Sequence, residues 1–322
     1  MNTHAARHPK RLVAIVLGLT AVIALMLLAF ATPAINSGPH EVPIAVSGPE
    51  QATAPITQML EQQGQTFAPT TFGTAEEAAE AIVQREAVGG IAVSPQGVTI
   101  QTASGAGAPY TPLLTGIGDA MRAQGQQVTT VDLAPMTKND PSGAGIMALG
   151  LPLIFGGMAS AAALVLGYRG PVLHKVLTAL ALSLAAGYTA TAILQLGFGS
   201  FAGSFWLTGL AVSAGIAAIS LTALGLGAPI GMPGIGLAAA LMLFVANPLS
   251  GMAAGPAWLP QPWGDLGQLL PIGAAGTAIR SAAFFEGHGA AAAWWVLAAW
   301  ITCGLLLALA GSRRATNKHA TV

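Results

Sequence analysis

The feature that most constrains this chain is the distribution of charge along it. An apolar run at 12–32 is followed by a polar segment at 33–142, and the rest of the chain is almost free of charge. Only 7% of all residues are charged and 53% are hydrophobic, whereas a soluble domain carries about 25% charged residues. The sequence therefore predicts a polytopic α-helical membrane protein with a small extracytoplasmic α/β domain between its first two helices.

Membrane-spanning helices require about 20 mainly apolar residues. Six segments meet this requirement, namely 12–32, 144–167, 176–197, 204–226, 231–249 and 290–311. The predicted organisation is a cytoplasmic N-terminus with helix 1 (1–32), an extracytoplasmic domain (33–143), helices 2 to 6 (144–311) and a cytoplasmic tail (312–322).

The basic residues predict the orientation, because Lys and Arg concentrate in the short cytoplasmic loops of membrane proteins. With six spans, all three basic groups that flank the helices fall on one face, and every Asp and Glu falls on the other. We therefore expect a plasma-membrane protein with both termini in the cytoplasm. The three groups are Arg7, Lys10 and Arg11; Arg169 and Lys175; and Arg313, Arg314 and Lys318.

The first apolar run has two interpretations. Ala29, Phe30 and Ala31 resemble a signal-peptidase site behind a basic start. However, the apolar part of a signal peptide is about 7 to 15 residues long, and this run is longer. The length favours an uncleaved membrane anchor.

The polar segment reads as alternating strands and helices. Val42, Ile44 and Val46 alternate as in a half-buried strand, and 91–93, 98–100 and 128–133 indicate three more strands.

Two helices are predicted between these strands. Thr74 and Glu77 have the spacing of a capping box, and Thr111 with Pro112 suits the start of a second helix. The segment contains ten acidic residues and three basic ones, which favours a solvated surface.

No pattern in the sequence indicates catalysis. None of the four lysines follows a glycine, so the phosphate-binding loop G-x-x-x-x-G-K-[ST] is absent. The six histidines lack metal-ligand spacing, and no basic surface interleaved with aromatic residues indicates nucleic-acid binding. We therefore expect no enzyme activity, cofactor, metal or nucleic-acid partner, and membrane lipid as the surrounding medium.

The segment 247–289 is too apolar for a solvated loop. Its prolines exclude one continuous helix, and its tryptophans suit the membrane interface, so short re-entrant or interfacial helices are predicted. For Arg280, pairing with Asp265 or Glu286 is one reading, and contact with a lipid head group or polar substrate is the other. The candidate residues of this exit or interfacial segment are Asn247, Pro248, Trp258, Trp263, Asp265, Arg280 and Glu286.

A family resemblance rests on several short motifs. Val131-Asp-Leu-Ala-Pro-Met136 and Asp140-Pro-Ser-Gly143 precede the second span, and Pro248 to Gly251, Leu270-Pro271 and Arg280 follow in order near the end. With the layout of one span, an α/β domain and five more spans, the chain resembles ABC type-2 permeases, and within them the YhgE/Pip-like group.

The resemblance implies a permease subunit that exports a hydrophobic or amphipathic substrate across the plasma membrane. Energy would come from a separate ABC ATPase, and the permease would form a homodimer or a heterodimer with another permease. The implied ATPase-coupling loop contains Tyr168, Arg169, His174 and Lys175. The alternative is a cell-envelope receptor or scaffold that transports nothing and binds its target through the extracytoplasmic domain.

Overall fold

The computed structural model describes the backbone of residues 7–320 and the side chains of residues 10–311. The predicted cytoplasmic side chains of Arg7, Arg313, Arg314 and Lys318 lie outside this described part. Five helices within it are long and apolar enough to cross a membrane, so the chain has the build of a helical membrane protein. They cover Lys10–Ile35, Ala144–Gly167, Val172–Gly197, Phe205–Ile230 and Ala291–Gly311.

Twelve α-helices and five strands make up the described chain. In order they are α1 (Arg7–Ile35), β1 (Val42–Ser47), α2 (Glu50–Glu61), β2 (Phe67–Phe72), α3 (Ala75–Val83), β3 (Gly89–Ser94), β4 (Gly97–Thr102), α4 (Tyr110–Ala123), β5 (Val128–Asp132), α5 (Ala144–Ala148), α6 (Gly150–Gly167), α7 (Val172–Thr191), α8 (Phe205–Ile230), α9 (Met232–Ala240), α10 (Trp263–Gln268), α11 (Pro271–Phe284) and α12 (Ala291–Ala320).

The structure differs from the sequence prediction at the segment 231–249. This segment contains a shorter apolar helix, Met232–Ala246, which is α9 continued by a π-helical turn. The helix starts after Gly231, whose φ of +67° favours glycine, and it ends before Pro248, which has no amide hydrogen to continue it. Pro248 and Leu249 continue the apolar sequence beyond this end, so hydropathy overestimates the length of the helix. Its length falls short of the about 20 residues of an ordinary span.

The centre of the helical bundle is α8. Most of its side chains are buried between α6, α7, α9, α11 and α12. Ala, Gly, Ser and Thr make up much of the helix, and such small residues let apolar helices approach closely. Ser160 on α6 and Ser220 on α8 also form a hydrogen bond of 2.7 Å. The bundle therefore depends on close backbone approach around α8.

The α/β unit contains a five-stranded sheet in the order β2-β1-β3-β4-β5. β1 is parallel to β2 and β3, whereas β4 runs antiparallel to β3 and parallel to β5. Val42, Ile44 and Ile91 belong to its core. The four predicted strands are present, and β2 was missed because Pro69 and two threonines obscure its alternation.

The helix starts of this unit confirm one prediction and correct another. At α3 the Glu77 amide donates to Thr74 Oγ1 (3.1 Å) and the Thr74 amide donates to Glu77 Oε2 (3.2 Å), which is a complete capping box. The cap predicted at Thr111 is wrong. α4 begins at Tyr110 because Pro109 already has helical backbone angles, and no side chain caps this helix.

We predict that adding a side chain at Gly304 of α12 would push this helix away from α8. A Cβ atom there would lie 2.5 Å from the carbonyl carbon of Leu221, so Gly304→Ala should destabilise the bundle by ~1–3 kcal/mol. Thermal unfolding of the purified protein in detergent measures this. Gly236→Ala is the matched control, since a Cβ at Gly236 meets no atom within 4 Å. Equal melting temperatures for both variants would contradict the packing described.

Candidate functional site

The first helix stands apart from the bundle. Its large apolar side chains between Leu12 and Leu28 are 46–67% exposed. Near its carboxyl end α1 contacts the π-helical turn Leu241–Ala246. Just beyond it, the Gly38 amide donates to the Trp258 carbonyl (3.0 Å) and the His40 amide donates to the Ala257 carbonyl (2.9 Å). The carboxyl end of α1 is thus attached to the rest of the protein, whereas the helix before it leaves its side chains exposed.

A cavity of about 700 Å³ separates the end of α1 from the π-helical turn, and we call it the lateral cleft. No Asp, Glu, Lys or Arg lines it in the described part of the chain, so it suits an apolar or amphipathic molecule. Its lining residues are Leu28, Ala29, Thr32, Pro33, Asn36 and His40 on one side and Phe244, Val245, Pro248, Leu249, Pro260 and Trp263 on the other.

Two polar side chains lie at one end of the lateral cleft. Asn36 donates through Nδ2 to the Thr32 carbonyl (2.7 Å). His40 Nδ1 lies 2.7 Å from the Gly38 carbonyl, which can only accept, so Nδ1 is the donor in this hydrogen bond. The cleft is therefore apolar along its length and polar at this end.

A second cavity of about 330 Å³ lies on the other side of the end of α1. Phe30 and Ser37 line it from α1 and the residues after it, and Met252 and Trp258 line it from the facing segment. Pro33 and Pro248 line both cavities. The end of α1 is thus a wall between two clefts.

The segment 247–289 supplies part of the facing side of both cavities, and we call it the α10–α11 segment. The structure shows short helices here: a 3₁₀ turn at Pro256–Trp258, then α10, then α11. α11 is buried along most of its 14 residues although it is too short to span a bilayer. Whether the segment lies at the depth of a membrane interface stays a prediction.

The structure corrects the pairing predicted for Arg280. Asp265 and Glu286 are exposed, and among the described residues only Arg122 and Asp119 form an ion pair. The Arg280 side chain is 3% exposed and donates instead to the carbonyls of Met252 (2.6 Å) and Gly105 (3.2 Å). Because Gly105 belongs to the α/β unit, Arg280 connects this unit to the α10–α11 segment.

Arg85 makes the reciprocal connection. It lies at the end of α3 in the α/β unit and donates through Nη1 to the Thr277 carbonyl of α11 (3.0 Å). Its guanidinium carbon also lies 5.3 Å from the ring centroid of Phe285, which suits a cation–π contact. The φ of Arg85 is +63°, a left-handed conformation that costs a non-glycine residue ~1–2 kcal/mol. The Thr277 and Phe285 contacts oppose this cost.

The two arginines share one region of low polarity. Burial, with the nearby Arg280 cation, lowers the pKa of Arg85 to about 10, so it keeps its charge at neutral pH. Burial also raises the pKa of Tyr110 to about 12. The Tyr110 ring packs edge-on against Trp258 at 5.8 Å between centroids. We call Arg85, Arg280 and their carbonyl acceptors the arginine clasp.

The predicted coupling loop lies at the opposite end of the bundle. It joins the end of α6 to the start of α7, whereas the start of α6 follows Asp140 beside the α/β unit. The Tyr168 hydroxyl and His174 Nδ1 lie 2.7 Å apart, Arg169 is exposed, and Lys175 is partly exposed. A role in ATPase coupling stays a prediction.

Asp140 is a buried acid whose structural role sequence reasoning missed. Its Oδ1 accepts from the Ala144 amide (2.8 Å) and its Oδ2 from the Gly145 amide (2.7 Å), at the start of α5. Burial would raise its pKa, but the hydrogen bonds from Gly145 and Ala144 outweigh burial and hold the pKa below its usual value. The spacing Asp140-x-x-x-Ala144 is the signal that could have shown it. Asp140 thus anchors the start of the second span.

The described residues contain no group of three or more metal-ligating side chains. Comparisons of the chain with protein-family models, with curated proteins and with solved structures find no match. The geometry of the two clefts and the arginine clasp is therefore the basis for a functional proposal.

We predict that Arg280→Met loosens the contact between the α/β unit and α11. The variant leaves the carbonyls of Gly105 and Met252 without their donor, and hydrogen bonds from a charged group contribute ~1.5–3 kcal/mol each. Hydrogen–deuterium exchange should rise in α11 and around Gly105 but not in α8. Arg122→Met, at an exposed ion pair, is the control and should leave both regions unchanged. Unchanged exchange at α11 in Arg280→Met would contradict the clasp.

We predict that Asp140 contributes stability that acid removes. A carboxylate with a lowered folded pKa stabilises the protein above its unfolded pKa of about 3.9 and loses this effect as pH falls through the folded value. Asp140→Asn should therefore cost ~1–2 kcal/mol at pH 7, and the difference from the unsubstituted protein should shrink below about pH 4. Melting temperatures across pH measure it. Asp265→Asn, at an exposed acid, is the control substitution, and a deficit for Asp140→Asn that stays constant across pH would contradict the assignment.

Proposed function

We propose that this chain is the permease subunit of an ABC-type exporter that moves a hydrophobic or amphipathic substrate across the plasma membrane. The observation that carries the proposal is the lateral cleft. It lies between the detached helix α1 and the Leu241–Ala246 turn, has no charged side chain in its lining among residues 10–311, and has the volume of a small-molecule site. The resemblance of the motifs around Asp140 and Pro248 to YhgE/Pip-like permeases supports the same proposal.

The exposed length of α1 explains how a substrate reaches the cleft. Membrane helices that pack against a bundle bury one face, but the described side chains of α1 between Lys10 and Leu28 are exposed. Lipid therefore surrounds this helix and borders the cleft directly. An amphipathic molecule enters or leaves sideways, with its chain among the apolar lining and its polar end toward Asn36 and His40.

The proposal places the α/β unit outside the cell and both termini in the cytoplasm. This orientation requires an even number of crossings. It is favoured by the basic groups that flank the helices, because six crossings place all of them on one face of the membrane. The helix Met232–Ala246 would provide the sixth crossing. Its 15 residues span about 22 Å, against a hydrocarbon core of about 30 Å, so local thinning of the bilayer would complete the passage.

A separate ATPase would supply the energy, since the sequence contains no phosphate-binding loop. The exposed Arg169 and the partly exposed Lys175 lie beside the Tyr168–His174 hydrogen bond and offer the ATPase a basic docking site. A dimer, with a second copy or another permease, would enclose the path. ATP binding would move α6 and α7 through this loop, and these helices pack against α8.

Affinity purification from native membranes tests the partner. A stoichiometric ATP-binding subunit should co-purify with the unsubstituted chain and be lost from Arg169→Glu/Lys175→Glu. Arg122→Glu, a charge reversal at an exposed arginine of the α/β unit, should retain it. If folded protein reproducibly yields no ATP-binding subunit, the proposal fails and the chain is a receptor or scaffold that transports nothing.

The acidic α/β unit, with surface clefts of about 740 and 530 Å³, favours that second function.

We also predict that filling the lateral cleft displaces its occupant. Ala29→Trp should reduce the amphipathic molecules that co-purify with the protein, as measured by mass spectrometry of organic extracts. Leu27→Trp is the matched control, because Leu27 lies on the same helix, is 67% exposed and does not line the cleft. Equal co-purification with both variants would contradict a substrate site in this cleft.

A further inference from the structure

The α/β unit has a crevice of its own, away from the helical bundle. The chain passes from β1 to β2 on one side of β1 and then to β3 on the other side, and these three strands are parallel. In such sheets the connections diverge on either side of the central strand, and ligands bind in the resulting crevice beyond the carboxyl ends of the strands. Here this position lies between α2 and the turn from β3 to β4.

A cleft of about 740 Å³ occupies this position, and we call it the distal cleft. β1 begins shortly after α1, and β4 and β5 run back toward α11 and α5, so the carboxyl ends of β1 and β3 point away from the bundle. The distal cleft is therefore at the far end of the α/β unit, where in the proposed orientation it faces the exterior. It is also separate from the lateral cleft.

The chemistry of the distal cleft contrasts with that of the unit that carries it. The unit contains ten acidic residues, yet no charged side chain lines this cleft within the described residues. Its polar lining consists of four carboxamides and one hydroxyl, and Ile56 and Val93 supply apolar surface. The four carboxamides make no side-chain hydrogen bond among the described residues. They belong to Gln51, Gln96, Gln126 and Gln127, and the hydroxyl belongs to Ser94.

These features disfavour two common classes of ligand, namely phosphates and extended peptides. A phosphate is disfavoured because neither Lys nor Arg lines the cleft and Glu50 occupies the first turn of α2. An extended peptide that adds a strand is disfavoured because β1, β3 and β4 are all interior strands with both edges paired. A carboxamide both donates and accepts, which matches ligands whose groups do the same.

We propose that the distal cleft binds an uncharged glycan. Hydroxyl and acetamido groups of the sugar would hydrogen-bond to Gln51, Gln96, Gln126 and Gln127, and the C–H faces of the rings would lie on Ile56 and Val93. The cleft on the other face of α2, of about 530 Å³, differs in that Glu50 and Glu61 give it negative charge. This inference does not depend on transport, since a permease and a receptor could both carry such a site.

Calorimetric titration of the full-length protein in nanodiscs with chitotriose, an uncharged trimer of N-acetylglucosamine, tests the proposal. We expect saturable binding that the double variant Gln51→Ala/Gln126→Ala weakens about tenfold, which corresponds to ~1.4 kcal/mol. Gln62→Ala is the matched control, because Gln62 is an exposed glutamine at the other end of α2 and lies outside the cleft. It should change the affinity less than twofold.

A second pair of variants separates occlusion of the cleft from loss of folding. Ala52→Trp fills the distal cleft without removing a polar group and should abolish chitotriose binding. Ala54→Trp, which faces the neighbouring acidic cleft on the same helix, should preserve it. Absence of saturable binding to the folded protein would overturn the proposal, and so would binding that survives Ala52→Trp.

Discussion

The arrangement of this protein depends on two arginines, the buried Arg280 and the partly buried Arg85, whose partners are backbone carbonyls. Arg280 on α11 donates to Gly105 in the α/β unit, and Arg85 in the α/β unit donates to Thr277 on α11. Buried carbonyls require donors, and a guanidinium supplies several in fixed directions, so one side chain connects segments that are far apart in the sequence. Arg280 also holds the Met252 carbonyl, in the wall of the smaller cleft. The clasp therefore couples the position of the α/β unit to the shape of a cavity beside α1.

The packing of the helices is uneven, and the lateral movement of a substrate that we propose would use this difference. α8 is buried on nearly all sides by close backbone contacts, whereas α1 exposes its apolar length. The residues after α1 attach through two backbone hydrogen bonds to Ala257 and Trp258. A rigid centre with a peripheral helix gives the lateral cleft one fixed wall and one wall with few contacts. Opening the cleft thus requires little change in the core.

Features set by local sequence were predictable, and features set by distant contacts were not. Hydropathy located the five long helices, and the Thr74–Glu77 spacing located a capping box, because both depend on neighbouring residues. Hydropathy overextended the helix before Pro248, since it does not register helix ends. The acceptors of Arg280 could not be predicted from the sequence, because they are backbone carbonyls and every residue has one. The lateral cleft could not be predicted, because Ala29 and Val245 come to line one cavity only in the folded chain.

The most direct test of the account is a cryo-electron microscopy structure of the complex extracted from native membranes into nanodiscs. The account predicts an ATP-binding subunit in contact with residues 168–175 and elongated density in the lateral cleft beside Ala29 and Val245. An isolated chain, with residues 168–175 free and no density between α1 and the Leu241–Ala246 turn, would contradict it.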